Sequence, residues 1–95
     1  MEGTKVKATK DFIGYIAQNS PESVILNGLD DGIVGMDVDG HVVYSYDKCL
    51  EILMERDGMT LDEAEEWLDY NTVRAIPYMG DMRPVMMYEM ERFEF

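Results

Sequence analysis

Few side chains in this sequence have the chemistry of a reactive centre. His41 is its one histidine and Cys49 its one cysteine. A histidine titrates near neutral pH and can act as a base or a pH-sensitive contact, but it needs a partner to orient it. His41 directly follows Asp39-Gly40, a turn signal, and is expected at the surface. A thiol close to a helix N-terminus can be activated as a thiolate. Cys49 shares an apolar stripe with Leu50, Leu53 and Met54, however, which places it in a core. Asp30 and Asp31, in Leu29-Asp30-Asp31-Gly32, and Asp37-Val38-Asp39-Gly40 resemble the opening of a calcium loop. Such a loop needs oxygen ligands at alternate positions and a glutamate at the twelfth, and neither segment supplies them. The first reads as a loop at a strand entrance, where Asp30 and Asp31 form an acidic pair, and the second as a turn. Arg74 and Arg83, beside a Pro/Gly loop, are the residues able to form a local anion site. There is no glycine-rich phosphate loop, zinc ligand set or Ser/His/Asp arrangement. The pattern argues for binding over catalysis, with no metal and no cofactor.

The strongest chemical feature is carboxylate density. The chain carries 20 acidic and 8 basic residues, a net charge of −12. Residues 1–19 hold Lys5, Lys7 and Lys10 against Glu2 and Asp11, so the acidity belongs to the remainder. Between Asp47 and Asp69 there are nine acids and only Lys48 and Arg56 as bases. Glu51 and Glu55, Asp62 and Glu66, and Glu65 and Asp69 are spaced i,i+4, where like charges destabilise a helix by about 0.2–0.5 kcal/mol per pair. Carrying three such pairs points to a use outside folding, namely meeting a basic groove on another protein in place of a phosphate array. Ordinary surface charge would look the same. The charge repels nucleic acid and anionic lipid, so neither is an expected direct partner.

The elements that position these residues follow from periodicity and punctuation. Thr9 caps a helix from Lys10 to about Gln18, with Phe12, Ile13, Ile16 and Ala17 on one face and residues 1–8 as a flexible lead-in. Ser20 and Pro21 start a second helix that ends at Gly28. Ile33–Val38 and His41–Tyr46 read as strands joined by a two-residue turn at Asp39-Gly40, with Val34, Met36 and Val38 on one face. Asp47 caps a helix from Lys48 to Arg56, ended by Asp57-Gly58. Thr60-Leu61-Asp62-Glu63 is a capping box opening a helix to about Asn71. Pro77, Gly80 and Pro84 mark a loop, and residues 85–90 form a third strand, antiparallel to the hairpin. The expected fold is one α+β domain over residues 1–95, of order ααββααβ, with a three-stranded antiparallel sheet packed against helices.

The chain has 95 residues, of which 46% are hydrophobic, enough for one core of modest stability that a homodimer would reinforce. No apolar run approaches the ~18 residues of a membrane span, and no signal peptide is expected at the start. A single thiol fits a reducing cytoplasm. Five of the nine methionines lie in residues 79–90, an adaptable side chain suited to core gaps or binding surfaces.

Leu26-Asn27-Gly28-Leu29-Asp30-Asp31-Gly32-Ile33-Val34-Gly35 resembles the LxGLDDAIVG segment of a family of short uncharacterised tailed-phage and prophage proteins. The resemblance continues through Val42-Val43-Tyr44, Tyr46-Asp47, Ile52-Leu53, Asp57-Gly58-Met59-Thr60, Glu63-Ala64-Glu65-Glu66-Trp67 and Tyr70-Asn71-Thr72. It covers residues 24–80. Departures are Gly32 in place of alanine, the short Asp39-Gly40 hairpin, and Ala75-Ile76-Pro77-Tyr78. The resemblance carries no catalytic residues with it. It implies a phage accessory protein acting in the cytoplasm of an infected bacterium. The function expected on this basis is inhibition or modulation of a host protein with a basic surface, such as a nucleic-acid-handling defence protein or CRISPR effector. The acidic face of Glu51, Glu55, Asp62, Glu65, Glu66 and Asp69 would be the contact. The rival expectations are a dimeric protein that sequesters a nucleotide messenger, with Asp30, Asp31, Arg74 and Arg83 near the ligand, and a structural or virion-associated protein.

Overall fold

A computed structural model describes residues 2–94, with side chains from Thr9 onward. The chain is α+β, with three helices and a mixed three-stranded sheet. In order, helix α1 spans Glu2–Asn19, strands β1 and β2 span Ile33–Met36 and Val42–Ser45, helices α2 and α3 span Tyr46–Asp57 and Leu61–Asn71, and strand β3 spans Val85–Met87. Short 3-10 turns at Asp30–Gly32, Val73–Tyr78 and Met90–Phe93 join them. Among the described residues no helix is long and apolar enough to cross a membrane.

The helix expected from Lys10 begins instead at Glu2, so Thr9 is a helical residue and not its cap. The side chains of residues 1–8, and with them the expected flexibility of that segment, lie outside the described residues. Ile16 is buried, and Phe12 packs against the core beside it.

The second helix, expected from Pro21 to Gly28, does not form. Its backbone donors go to distant partners that a helix could not reach. Val24 N–H donates to the Met82 carbonyl at 3.1 Å, and Leu26 N–H to the Tyr44 hydroxyl at 2.7 Å. The Ser20 hydroxyl, cast as a cap, lies 2.7 Å from the Ser23 hydroxyl, which in turn donates to the Gly40 carbonyl at 2.6 Å. The segment is a strap across the hairpin. Gly28 does adopt the left-handed conformation assigned to it (φ 84°), within a loop.

The hairpin is shorter than expected and its turn is longer. Asp37 N–H donates to the His41 carbonyl at 2.9 Å, Gly40 N–H donates to the Asp37 carbonyl at 3.1 Å, and Gly40 has φ 94°. This is a three-residue loop, Val38-Asp39-Gly40, with glycine at the left-handed position. The Asp37 carboxylate accepts from Asp39 N–H and His41 N–H and holds it closed. Val38 therefore stands at the exposed tip and is not on a strand face with Val34 and Met36. A register shift between Ile33 and Gly35 further separates those two faces.

The order of elements is αββααβ, not ααββααβ, and the sheet is not wholly antiparallel. β1 pairs antiparallel with β2, whereas β3 pairs parallel with β2 through Val43↔Val85, Tyr44↔Met86 and Ser45↔Met87. The connection explains the direction. From the end of β2 the chain passes through α2, α3 and a 3-10 turn, a helical crossover that returns it to the starting edge of β2. The strand also ends at Met87, three residues before the expected limit.

β2 is thus the middle strand. Its Val42 and Tyr44 are fully buried against Cys49, Leu50 and Leu53 of α2, Ala64 and Leu68 of α3, and Leu26, Leu29 and Ile16. Cys49 is in the core, as its stripe predicted. Above it the 3-10 turn passes so closely that a Cβ on Gly32 would lie 2.7 Å from the Cys49 Sγ.

Two predictions follow from this core. Gly32→Ala overpacks the site and lowers stability by about 1–3 kcal/mol. Cys49→Ala in the same chain opens the space and recovers part of that loss. Urea unfolding of the two single variants and the double variant checks it, and strictly additive losses would show that the residues do not share space. The second concerns alkali. Burial pushes the Cys49 thiol from 9.0 up to about 12 and the Tyr44 hydroxyl from 10.0 up to about 12. Both keep their protons longer folded than unfolded. Their contribution to stability is therefore intact below about pH 9 and is lost as the pH rises towards 12. Unfolding midpoints measured between pH 8 and 11 should fall, and Cys49→Ala should make that fall shallower.

Candidate functional site

The residues singled out for chemistry are mostly absorbed by the fold. His41 Nδ1 lies 2.7 Å from the Arg83 carbonyl, which can only accept, so the ring holds its proton on Nδ1 and ties the hairpin to the start of β3. Cys49 is a buried protonated thiol. Among the described residues no three of the His, Cys, Asp and Glu side chains converge as a metal-binding set.

Asp30 and Asp31 are exposed on the 3-10 turn before β1. They line a cleft of about 390 Å³ with Gly28, Ile52, Glu55 and Arg56. Arg74 and Arg83 are not part of it. The Arg74 guanidinium sits 5.3 Å from the centroid of the Tyr70 ring, and Arg83 Nη1 donates to the Gly80 carbonyl at 3.3 Å. The four residues do not form one site.

The nine acids of residues 47–69 divide by what they touch. Asp57 takes both Arg56 Nε and Nη2 at 3.0 Å, and this fork holds its carboxyl below the usual carboxylate range. Asp47 pairs with Arg92 at 2.9 Å. The Asp69 carboxylate accepts from the Tyr46 hydroxyl at 2.7 Å, joining α3 to α2. Burial, followed by this bond, raises the Tyr46 hydroxyl far above its ordinary value. Glu63 completes the capping box: its carboxylate accepts from Thr60 N–H at 2.9 Å, and its own N–H donates to the Thr60 hydroxyl at 3.2 Å. That leaves Glu51, Glu55, Asp62, Glu65 and Glu66 with no hydrogen bond or ion pair among the described residues. All are exposed except the half-buried Glu65.

The larger cleft lies along α3, at about 820 Å³. Its floor is the α2–α3 turn, Asp57, Gly58 and Met59. Its wall is one face of α3, contributed by Glu63, Glu66, Trp67, Tyr70 and Asn71 at i, i+3, i+4, i+7 and i+8. Local sequence builds both parts. Gly58 ends α2 in the left-handed conformation (φ 70°), and Met59 N–H reaches back to the Leu53 carbonyl. The Thr60 capping box then starts α3 at once. Trp67 is 39% exposed and Tyr70 69% exposed, so both rings show a face to the solvent. The cleft is thus two aromatic rings flanked by carboxylates, one of which, Glu66, is unengaged. The aromatic half of this site was not singled out from the sequence. The signal was there: Trp67 and Tyr70 are three residues apart on the same helix as Glu63 and Glu66.

A second arrangement joins residues far apart in sequence. The Arg92 guanidinium lies 5.1 Å from the centroid of the Tyr46 ring and 4.5 Å from that of Tyr88 while pairing with Asp47. Ser45 is the actual cap of α2, accepting from Lys48 N–H at 3.1 Å, and its hydroxyl donates to Glu89 at 2.6 Å. Asp47, expected as that cap, is instead spent on Arg92. These contacts fasten the C-terminal segment to the start of α2.

Trp67 is the one tryptophan, so its emission reports the cleft directly. The carboxylates should concentrate cations and exclude anions there. Caesium is expected to quench the emission at least about twofold more efficiently than iodide at low ionic strength, with the difference shrinking as inert salt is added. Equal quenching by the two ions would show that the cleft carries no effective negative potential. Set against family models, curated proteins and solved structures, the chain matches none.

Proposed function

We propose that this chain is a binding protein, not an enzyme, that docks a basic surface of another protein through the exposed carboxylates of α2 and α3. The biological setting put forward is that of a phage-encoded accessory protein in the cytoplasm of an infected bacterium. There it would inhibit or modulate a nucleic-acid-handling host protein, of which a CRISPR effector is one example. The observation behind this reading is the set of five carboxylates on α2 and α3 that have no hydrogen bond or ion pair among the described residues. Arg56 is held by Asp57 and Arg92 by Asp47, so neither neutralises Glu51, Glu55, Asp62, Glu65 or Glu66. Charges left unpaired in this way steer a basic partner and raise its association rate more than they stabilise the fold. A protein that binds nucleic acid presents the required basic surface.

A nucleotide-sequestering role has less behind it, because Arg74 and Arg83 are engaged separately and each cleft described is lined by three carboxylates, against no base in the larger and Arg56 alone in the smaller.

The expected outcome is capture of a basic protein from bacterial lysate at about 50 mM salt and its release at about 500 mM, where the screening length falls to a few ångströms. Reversal of Glu51, Glu55 and Glu66 to lysine should abolish capture with the fold intact. Capture that survives high salt, or that is indifferent to the reversal, overturns the acidic-face reading.

A further inference from the structure

We infer that the cleft along α3 reads an arginine side chain of the docking partner, clamping its guanidinium against the Trp67 ring and the Glu66 carboxylate. This rests on the docking reading above and specifies its chemistry.

Four observations converge. First, Trp67 offers the ring type that attracts cations most strongly. It has no cation over it among the described residues, whereas Tyr46, Tyr70 and Tyr88 each carry an arginine. Second, the chain already shows the interaction in miniature: Arg74 places its guanidinium 5.3 Å from the centroid of Tyr70, at the edge of the same cleft. Third, Glu66 faces the cleft without a partner, while Glu63 is anchored to the Thr60 amide and Asp57 to Arg56. One carboxylate is therefore free to pair with an incoming cation, and the others add negative potential without competing for the hydrogen bond. Fourth, the volume of about 820 Å³ exceeds that of one side chain, so a guanidinium can enter together with the peptide that carries it.

Arginine fits better than lysine for geometric reasons. A guanidinium is planar and weakly hydrated, so it can stack on an indole or phenol ring while its edge donates two hydrogen bonds to a carboxylate. An ammonium is a compact, strongly hydrated charge that can satisfy only one of these demands at a time. Capping chemistry holds the clamp rigid, since the α2–α3 turn sets the position of its floor and the capping box sets the first turn of its wall.

The test uses fluorescently labelled hexa-arginine and hexa-lysine amides against the full chain, read by anisotropy at constant ionic strength. Hexa-arginine should bind on the order of tenfold more tightly than hexa-lysine. Trp67→Ala and Glu66→Gln should each bring the ratio close to one. Trp67→Phe, which keeps a ring, should retain part of it, and this guards against a fold defect. Glu51→Lys with Glu55→Lys, away from the cleft, should weaken both peptides alike and leave the ratio unchanged. Equal affinities for the two peptides, or a ratio untouched by Trp67→Ala, overturn the arginine clamp. If both peptides still lose affinity on the Glu51 and Glu55 reversal, the broader docking reading survives that failure. If neither peptide binds at low salt, both readings are overturned.

Discussion

Ser45 belongs at once to the last position of the central strand and to the cap of the following helix, and it is fully buried. Its hydroxyl accepts the Lys48 amide and donates to the Glu89 carboxylate. No loop therefore separates β2 from α2, and the direction of the helix is set by the end of the strand. Cys49, Leu50 and Leu53 are thereby brought over Tyr44 and Val42, and the next residues of the tail are fastened to the same corner. A cap is worth about 1 kcal/mol at the surface. Here the same oxygen is also a buried polar group that must be satisfied on both sides. The corner consequently links sheet, helix and C-terminal segment.

Tight junctions recur along the chain and account for the site. Gly32 is admitted against Cys49 because it lacks a side chain. Gly58 and Thr60 turn α2 into α3 within three residues, which leaves one face of α3 beside an open floor in place of a packed neighbour. Trp67 and Tyr70 emerge on that face because Ala64 and Leu68, on the other, are the residues buried in the core. The excess of carboxylates is tolerated at a cost of a few tenths of a kcal/mol per like-charged pair. Where a pairing matters to the fold it is supplied, as for Asp47, Asp57 and Asp69. The carboxylates left over are the ones available to a partner.

Much of the architecture was legible because it depends on neighbours within four residues. The Thr60 capping box, the Gly58 stop, the placing of Cys49 in the core and the turn around Asp39-Gly40 all belong to this kind. The errors fall where a distant group competes for the same atoms. Ser20-Pro21 has the grammar of a helix start, yet the amides of Val24 and Leu26 bind Met82 and Tyr44. Asp47 has the chemistry of a cap, yet Arg92, 45 residues away, takes it. The acidic half of the α3 cleft is legible as charge spacing, while its aromatic half becomes a site only because the fold buries Ala64 and Leu68 and leaves Trp67 and Tyr70 uncovered.

By itself the sequence determined the strong negative charge, the helical spacing of its carboxylates, the capped α2–α3 pair and the presence of a hairpin. These are properties of composition and of short-range hydrogen bonding, which no distant contact overrides. The tertiary structure alone decided that β3 runs parallel to β2, that residues 20–29 form a strap, and that Glu66 stands free beside two exposed rings. Strand direction depends on where a crossover returns the chain. Whether a carboxylate is engaged depends on which arginine the fold brings within reach, and neither is encoded in local spacing.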